Sequence, residues 1–515
     1  MSQSPDALRL PGLETACVEV RPATPAPAPP RVKQVDRRQQ IWRSVDVEEL
    51  IEEDHPARAV WALSGQLDLS RFYAPIEAVE GAAGRTAWDP RLLVSLWVYA
   101  YSRGISSARE LARRCEYEPA FEWLCGLERI NHHTLSDFRV VHGPALQELF
   151  VQVLGVLSAQ SLVSLERVMH DGTKVQALAS RDSFKRQATL QEHLAAARQQ
   201  VESLAAQAPE PSHRQGAARQ RAARERQQRV EQALEQLEQI RQTKSSEKEK
   251  QEARASLSDA QARNMKQSGG GYAPGYNVQI STEASHKIIV GVGVSQQGND
   301  YGELVGGMQR VEQNLQAKPV QVVADGGFTS RENIQAMAAQ GIDFIGSLPE
   351  PAPAQTTPHS DVPFPAQAFR YDAAQDHYTC PAGQTLRRVR EDPRRAGVVH
   401  YSYRAQKADC QNCPLKEQCC PQSDKGRGLL RSVEEPQVQA FRQKMHSAEA
   451  KEIYRQRSAV AEFPNAWIKA KLGLRQFRLR GLDKVTLEAL WACLTYNIQQ
   501  WIRFCWRPGL SSARP

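Results

Sequence analysis

Three acidic residues, far apart in the chain, stand where a carboxylate is an expensive choice. Asp171 lies in Val168-Met169-His170-Asp171-Gly172-Thr173-Lys174-Val175, an apolar, β-branched run that reads as one short strand. Side chains alternate along a strand, so Asp171 and Thr173 share one face and His170 and Lys174 the other. A carboxylate in a run otherwise suited to burial costs free energy unless something positive compensates it. Asp325 closes a second apolar strand, Val320 to Ala324, and precedes Gly326-Gly327, which permit a sharp turn, and then Thr329 and Ser330, both good helix caps. Acids at the C-terminal ends of strands in an α/β sheet face the crevice where ligands bind. Glu462 sits between Tyr454 and Lys469 in a stretch that reads as helix on both sides of Pro464, where a kink is expected. Asp-Gly is also a common turn dipeptide, and a capped turn accounts for Asp171 taken alone. The two further acids, in settings that suit the same ion, weigh against that reading.

Two other groups have the makings of chemistry. Cys380, Cys410, Cys413, Cys419 and Cys420 form one cluster. Cys410-x-x-Cys413 has metal-knuckle spacing, and Cys380 with Cys419 or Cys420 completes four ligands for a tetrahedral zinc site. Structural zinc and clustered reduced thiols are the two readings. Near the C-terminus, Lys469, Lys471, Arg475, Arg478, Arg480 and Lys484 interleave with Trp467 and Phe477. Phosphate neutralisation with aromatic contact is the functional reading, and a solvated amphipathic surface is the plain one.

The elements that must position these residues follow from periodicity. Residues 1–30 are Pro/Ala-rich and read as a disordered tail. Residues 31–160 read as helical. Pro90–Tyr101 is strongly apolar, Ser106–Arg114 carries Arg109 and Arg113, and His133–His142 carries Arg139. Three short helices with a basic middle one suit a helix-turn-helix DNA-binding unit, and a plain bundle with solvated arginines fits equally well. Over 185–265, Leu190, Leu194, Ala197, Val201 and Leu204 recur in steps of four and three, Pro209 and Pro211 interrupt, and Val230, Leu234 and Leu237 resume the spacing. An antiparallel coiled-coil hairpin is expected there. Strand and helix signals over 161–184 and 266–349, then a cysteine-bearing insertion over 350–445 and helices over 446–515, give a mixed α/β sheet flanked by helices. The chain of 515 residues carries a net charge of +8, compatible with a polyanionic partner. Its apolar runs fall short of the ~20 residues of a membrane span and its first residues do not open a signal peptide, so a cytoplasmic protein without membrane contact is expected.

The ordered set His170-Asp171-Gly172-Thr173, Gly275-Tyr276-Asn277-Val278-Gln279, Ala324-Asp325-Gly326-Gly327-Phe328, Tyr454-x-x-Arg457, Glu462 and Lys469 resembles bacterial insertion-sequence DDE transposases. Arg475-Gln476-Phe477-Arg478-Leu479-Arg480-Gly481 and Cys410-Gln411-Asn412-Cys413-Pro414 resemble them too, as do Ser106–Leu111 and Thr134–Arg139. The resemblance implies an RNase H-like core in which Asp171, Asp325 and Glu462 hold two Mg²⁺ ions, with Mn²⁺ as a substitute. Hard carboxylate oxygens suit Mg²⁺, and two such ions serve in-line displacement at phosphorus. Tyr454, Arg457 and Lys469 would contact phosphates near the scissile bond. The implied partners are double-stranded DNA at terminal inverted repeats and at the target, and a homodimer or higher oligomer on the nucleoid. A nuclease of the same fold without strand transfer, and a DNA-binding derivative that has lost catalysis, are the other function classes. The spacing from Arg457 to Glu462 is one residue longer than in the common form of the Tyr-Arg-Glu-Lys signature. Asn131-His132 stands where a Pro-Asp pair is common.

Overall fold

The structure, a computed structural model, describes residues 40, 42, 44–78, 86–206, 213–267, 269–349, 364, 368–395, 398–433 and 435–509. The tail expected over 1–30 and the interruption at Pro209 and Pro211 lie outside the described residues. Val47–Pro515 form one compact unit.

The apolar run around Asp171 becomes the strand Arg167–Gln176. It pairs antiparallel with the long strand Tyr272–Glu283 on one side and parallel with Gln321–Ala324 on the other. Asp343–Ile345 extends the parallel side. Ile289–Ser295 and the short Arg263–Lys266 lie antiparallel along the outer edge of Tyr272–Glu283. Leaving aside Arg263–Lys266, the strands run across the sheet in the chain order third, second, first, fourth, fifth. This mixed sheet with helices on its faces is consistent with an RNase H-like core.

Register decides which side chains meet. Met169 pairs with Val323, so strand alternation continues both strands onto one face at Asp171 and Asp325. That face is covered by the helix Ala448–Ala470, whose Ala450, Ile453, Val460 and Ala461 bury Met169, Val323 and Ile345. The helix runs unbroken through Pro464. The opposite face carries His170, which lies edge-on to Phe328 at 4.9 Å, and is covered by the helix Glu303–Leu315.

The helix Leu482–Trp501 is buried along almost its whole length. It packs on the edge strand Ile289–Ser295 and on the helices Pro90–Ser102 and Gly143–Ala159. Asn497 closes the strand edge: Nδ2 donates to the Ile289 carbonyl at 2.8 Å and Oδ1 accepts from its N–H at 3.0 Å. Trp491 donates to the Arg139 carbonyl at 3.2 Å. One helix thus ties the N-terminal helices to the sheet.

The expected hairpin is present as Gln187–Ala206 and His213–Gln242. Arg241 bonds Gln187 and Arg226 bonds Gln200, which sets the two helices antiparallel. Leu190, Ala197, Val230, Ala233 and Leu237 are buried in the seam, while Leu194, Val201 and Leu204 are half-buried. The cysteine-bearing insertion holds a second sheet that periodicity did not reveal, five antiparallel strands between Arg370 and Val433. Its strands are short or charged, as in Thr385–Arg395, so the alternation signal is weak.

Candidate active site

Asp171 and Asp325 occupy neighbouring positions at the point where the two parallel strands stop pairing. Asp171 Oδ1 accepts from the Gly172 N–H at 3.0 Å and Oδ2 accepts from Asn465 Nδ2 at 2.8 Å. Burial pushes the Asp171 carboxyl up to about 6, and the Asp325 charge adds to the rise against the lowering field of Arg457. Asp325 turns the chain as its glycines suggested: Oδ1 accepts from the Gly327 N–H at 2.8 Å, and Thr329 bonds its carbonyl at 2.9 Å.

The helix above supplies the remaining groups. Asn465 and Lys469 lie one turn apart on the face towards Asp171. Lys469 is half-buried, and loss of water lowers its ammonium while Asp171 opposes the shift. Arg457 is 17% exposed, its guanidinium 5.8 Å from the Tyr454 ring and 3.9 Å from Glu462 Oε1. Glu462 is 62% exposed at that contact. Among the described residues no three His, Cys, Asp or Glu side chains stand together in metal-holding geometry. The structure therefore brings Asp171 and Asp325 together, and links Glu462 to them through Arg457 rather than in one shared shell.

The basic segment after the helix is a loop that docks beside this site. Phe477 N–H donates to the Gln176 carbonyl at 2.8 Å and Gln176 N–H to the Arg475 carbonyl at 3.2 Å, so the loop joins the end of the Asp171 strand. Glu488, fully buried, accepts from the N–H groups of Arg478 and Leu479 at 3.0 Å. Lys471, Arg475, Arg478 and Arg480 are exposed, while Phe477 is core. Arg109 and Arg113 are exposed on the Ala108–Arg114 helix. Arg139 corrects the expectation of a DNA contact. It is 4% exposed, bonds the Ser106 carbonyl and stacks 4.7 Å from the Trp97 ring, so its charge is spent inside the helical core.

Three residues at the site escaped the sequence reading. Asn465 had only its position three residues after Glu462 to mark it. Glu488 is hidden in a core helix. Asp300, in the polar turn after Ser295, accepts from Lys174 at 3.1 Å, Asn277 at 2.6 Å and Gln279 at 2.9 Å.

The cysteines of the insertion converge. Cys380, Cys410, Cys413, Cys419 and Cys420 line one small cavity against Leu386 and Arg427. Backbone N–H groups of Gln384 and Arg427 donate to the Cys380 and Cys410 sulfurs at 3.3 and 3.4 Å. Burial pushes the Cys419 thiol up and the Cys420 thiol up to about 12. The described cysteines are free of disulfides.

Residues 379–502 match the family model of a transposase DDE domain, and residues 45–140 match that of a transposase domain known as DUF772. The first match spans the cysteine cluster, Glu462, Lys469 and the basic loop. Asp171 and Asp325 lie outside it. No curated protein matches. Among solved structures, the cryo-EM structure of a piggyBac transposase synaptic complex with hairpin DNA is similar at 9% identity, covering 90% of this chain and 75% of that one, with a TM-score of 0.29. The matched C-terminal segment places in this chain a domain of a catalytic phosphoryl-transfer class. Both segments match models of transposase domains, and the activity such domains imply is DNA transposition.

Proposed function

We propose that this chain is a DDE transposase that cuts DNA strands at the ends of its element and transfers the freed ends to target DNA, with divalent metal at Asp171, Asp325 and Glu462. The observation that carries the proposal is the pairing of two parallel strands that sets Asp171 beside Asp325 under a helix bearing Arg457, Glu462, Asn465 and Lys469.

The donor set suits Mg²⁺ or Mn²⁺ in kind: carboxylate oxygens are hard ligands, and Asp171 and Asp325 lie close enough for the charge on one to raise the carboxyl of the other. Glu462 brings the third carboxylate, exposed and tethered at 3.9 Å to Arg457, on a side chain long enough to swing. Asp171, Asp325 and Glu462 would hold such a pair of ions, which would supply activation of an attacking oxygen and stabilisation of the leaving one. The protein's own groups do the rest. Asn465 fixes the Asp171 carboxylate, and Lys469, Arg457 and Tyr454 hold the phosphate flanking the scissile bond. Lys471, Arg475, Arg478 and Arg480 neutralise the DNA backbone as it leaves the crevice, and Arg109 and Arg113 grip the element end. Bringing two ends together calls for at least a dimer, acting on nucleoid DNA.

The test is cleavage of DNA carrying the element's inverted repeats with Mg²⁺ or Mn²⁺. Nicks at the repeat boundaries are expected, with loss of cutting in Asp171→Asn, Asp325→Asn and Glu462→Gln. Cutting that survives Asp171→Asn sinks the proposal. Joining of cut ends to a second DNA distinguishes transposition from plain nuclease action.

For the insertion, thiolates of Cys380, Cys410, Cys413 and Cys419 suit structural Zn²⁺ in kind, with Cys420 beside them, and would have to draw closer to hold it, since no three of them stand in metal-holding geometry. Metal analysis of the purified protein should find about one zinc per chain. Its absence from folded protein leaves only clustered thiols.

A further inference from the structure

Resting on the site just proposed, we infer that Asp300 is a positioning residue that braces the strand at Asp171 and the turn at Asp325 from behind the sheet. Asp300 lies on the face opposite Asp171, with Lys174, Asn277 and Gln279 donating to its carboxylate. Lys174 pairs with Asn277 across the strands and Gly172 with Gln279, so the four positions form one patch. Gly172 stands at its centre. A Cβ there would come within 2.5 Å of Asp300 Oδ1 and 2.7 Å of Gln279 Nε2. The glycine lets the carboxylate rest on the backbone of the residue next to Asp171.

The same side chain reaches the second turn. A Cβ at Gly327 would lie 3.0 Å from Asp325 Oδ1 and 3.8 Å from both Cβ and Oδ2 of Asp300. Asp300 therefore touches the glycine regions that follow each aspartate. The network is organised around it. Asn277 and Gln279 are fully buried, and each aims its amide nitrogen at Asp300 while its amide oxygen has no partner. Two buried acceptors left without donors mean that holding the Asp300 charge decides their orientation. The same patch gives Lys174, Asn277 and Gln279 a shared task. Lys174 neutralises Asp300, so the brace adds little net charge beside the catalytic carboxylates.

Groups behind metal-ligating side chains fix their spacing, and losing one typically costs on the order of 10–100-fold in metal affinity or activity. Asp300→Asn and Asp300→Ala are to be compared with the wild type and Asp171→Asn, with Mn²⁺ binding followed by electron paramagnetic resonance on the DNA-free protein, cleavage across a Mn²⁺ series, and melting temperature. The expected result is Mn²⁺ binding weakened about 10-fold or more in Asp300→Asn, a matching shift in the Mn²⁺ needed for cleavage, and a larger loss in Asp300→Ala. If Asp300→Ala fails to fold, Asp300→Asn carries the decision. Mn²⁺ binding within twofold of the wild type in a folded Asp300→Asn overturns the assignment, even where its melting temperature falls. If Asp171→Asn itself keeps cutting, the site reading fails; if Asp171→Asn is dead and Asp300→Asn is unchanged, only the brace does.

Discussion

Removing the charge from Asp171 should stabilise the metal-free protein while abolishing its chemistry. In the native state burial and the Asp325 charge lift this carboxyl from 3.8 to about 6, so ionising it costs roughly 3 kcal/mol more than in the unfolded chain. Below about pH 4 the group is protonated in both states and contributes no difference. As pH rises towards 6 the unfolded chain releases its proton first, and native stability falls. Above that the full deficit is present. Asp171→Asn removes it, and the pocket accommodates the amide because the buried Asn465 Oδ1 lacks a partner and can accept a hydrogen bond once Asn465 flips. Thermal unfolding of both proteins in EDTA from pH 4.5 to 8 is the assay. The variant should melt several degrees higher at pH 8, with the gap closing in acid. Mg²⁺ should raise the wild-type midpoint and leave the variant nearly unmoved. Equal midpoints at pH 8, or a gap that ignores pH, would refute the argument that desolvation of Asp171 shapes this site.

Arg139→Ala should cost about 2 kcal/mol or more of stability, because it removes a buried guanidinium bonded to Ser106 and stacked on Trp97; DNA affinity of the surviving folded protein should be unchanged. Arg478→Ala should do the reverse, leaving melting unaffected while lowering the slope of log affinity against log salt by about 1. Glu488→Gln weakens the acceptor that holds the Arg478 and Leu479 N–H groups; faster proteolysis between residues 475 and 481 and weaker DNA binding are expected, with the cut sites read by mass spectrometry.

Much of the catalytic face was legible because strands and glycines speak locally. The strand around Asp171, the strand that leads into Asp325 and the turn after it all follow from alternation and turn chemistry within about ten residues. The residue hardest to read was Arg139: an arginine on a short amphipathic helix looks the same in sequence whether it faces solvent or Trp97. Asn465 and Asp300 were missed because their meaning lies in partners 294 and 126 residues away, Asp171 and Lys174. The five-stranded sheet of the insertion escaped because charged strands such as Thr385–Arg395 carry no clean apolar face. Glu462 was legible as a helical acid, but its present engagement with Arg457 was not.

The long separation between the strand Arg167–Gln176 and the helix Ala448–Ala470 has a kinetic meaning during synthesis. A ribosome delivers the sheet's central strand well before its covering helix, so the half-built polypeptide holds Asp171 and Asp325 under no lid and without Lys469. The face that carries the two aspartates stays uncovered until that helix has been made.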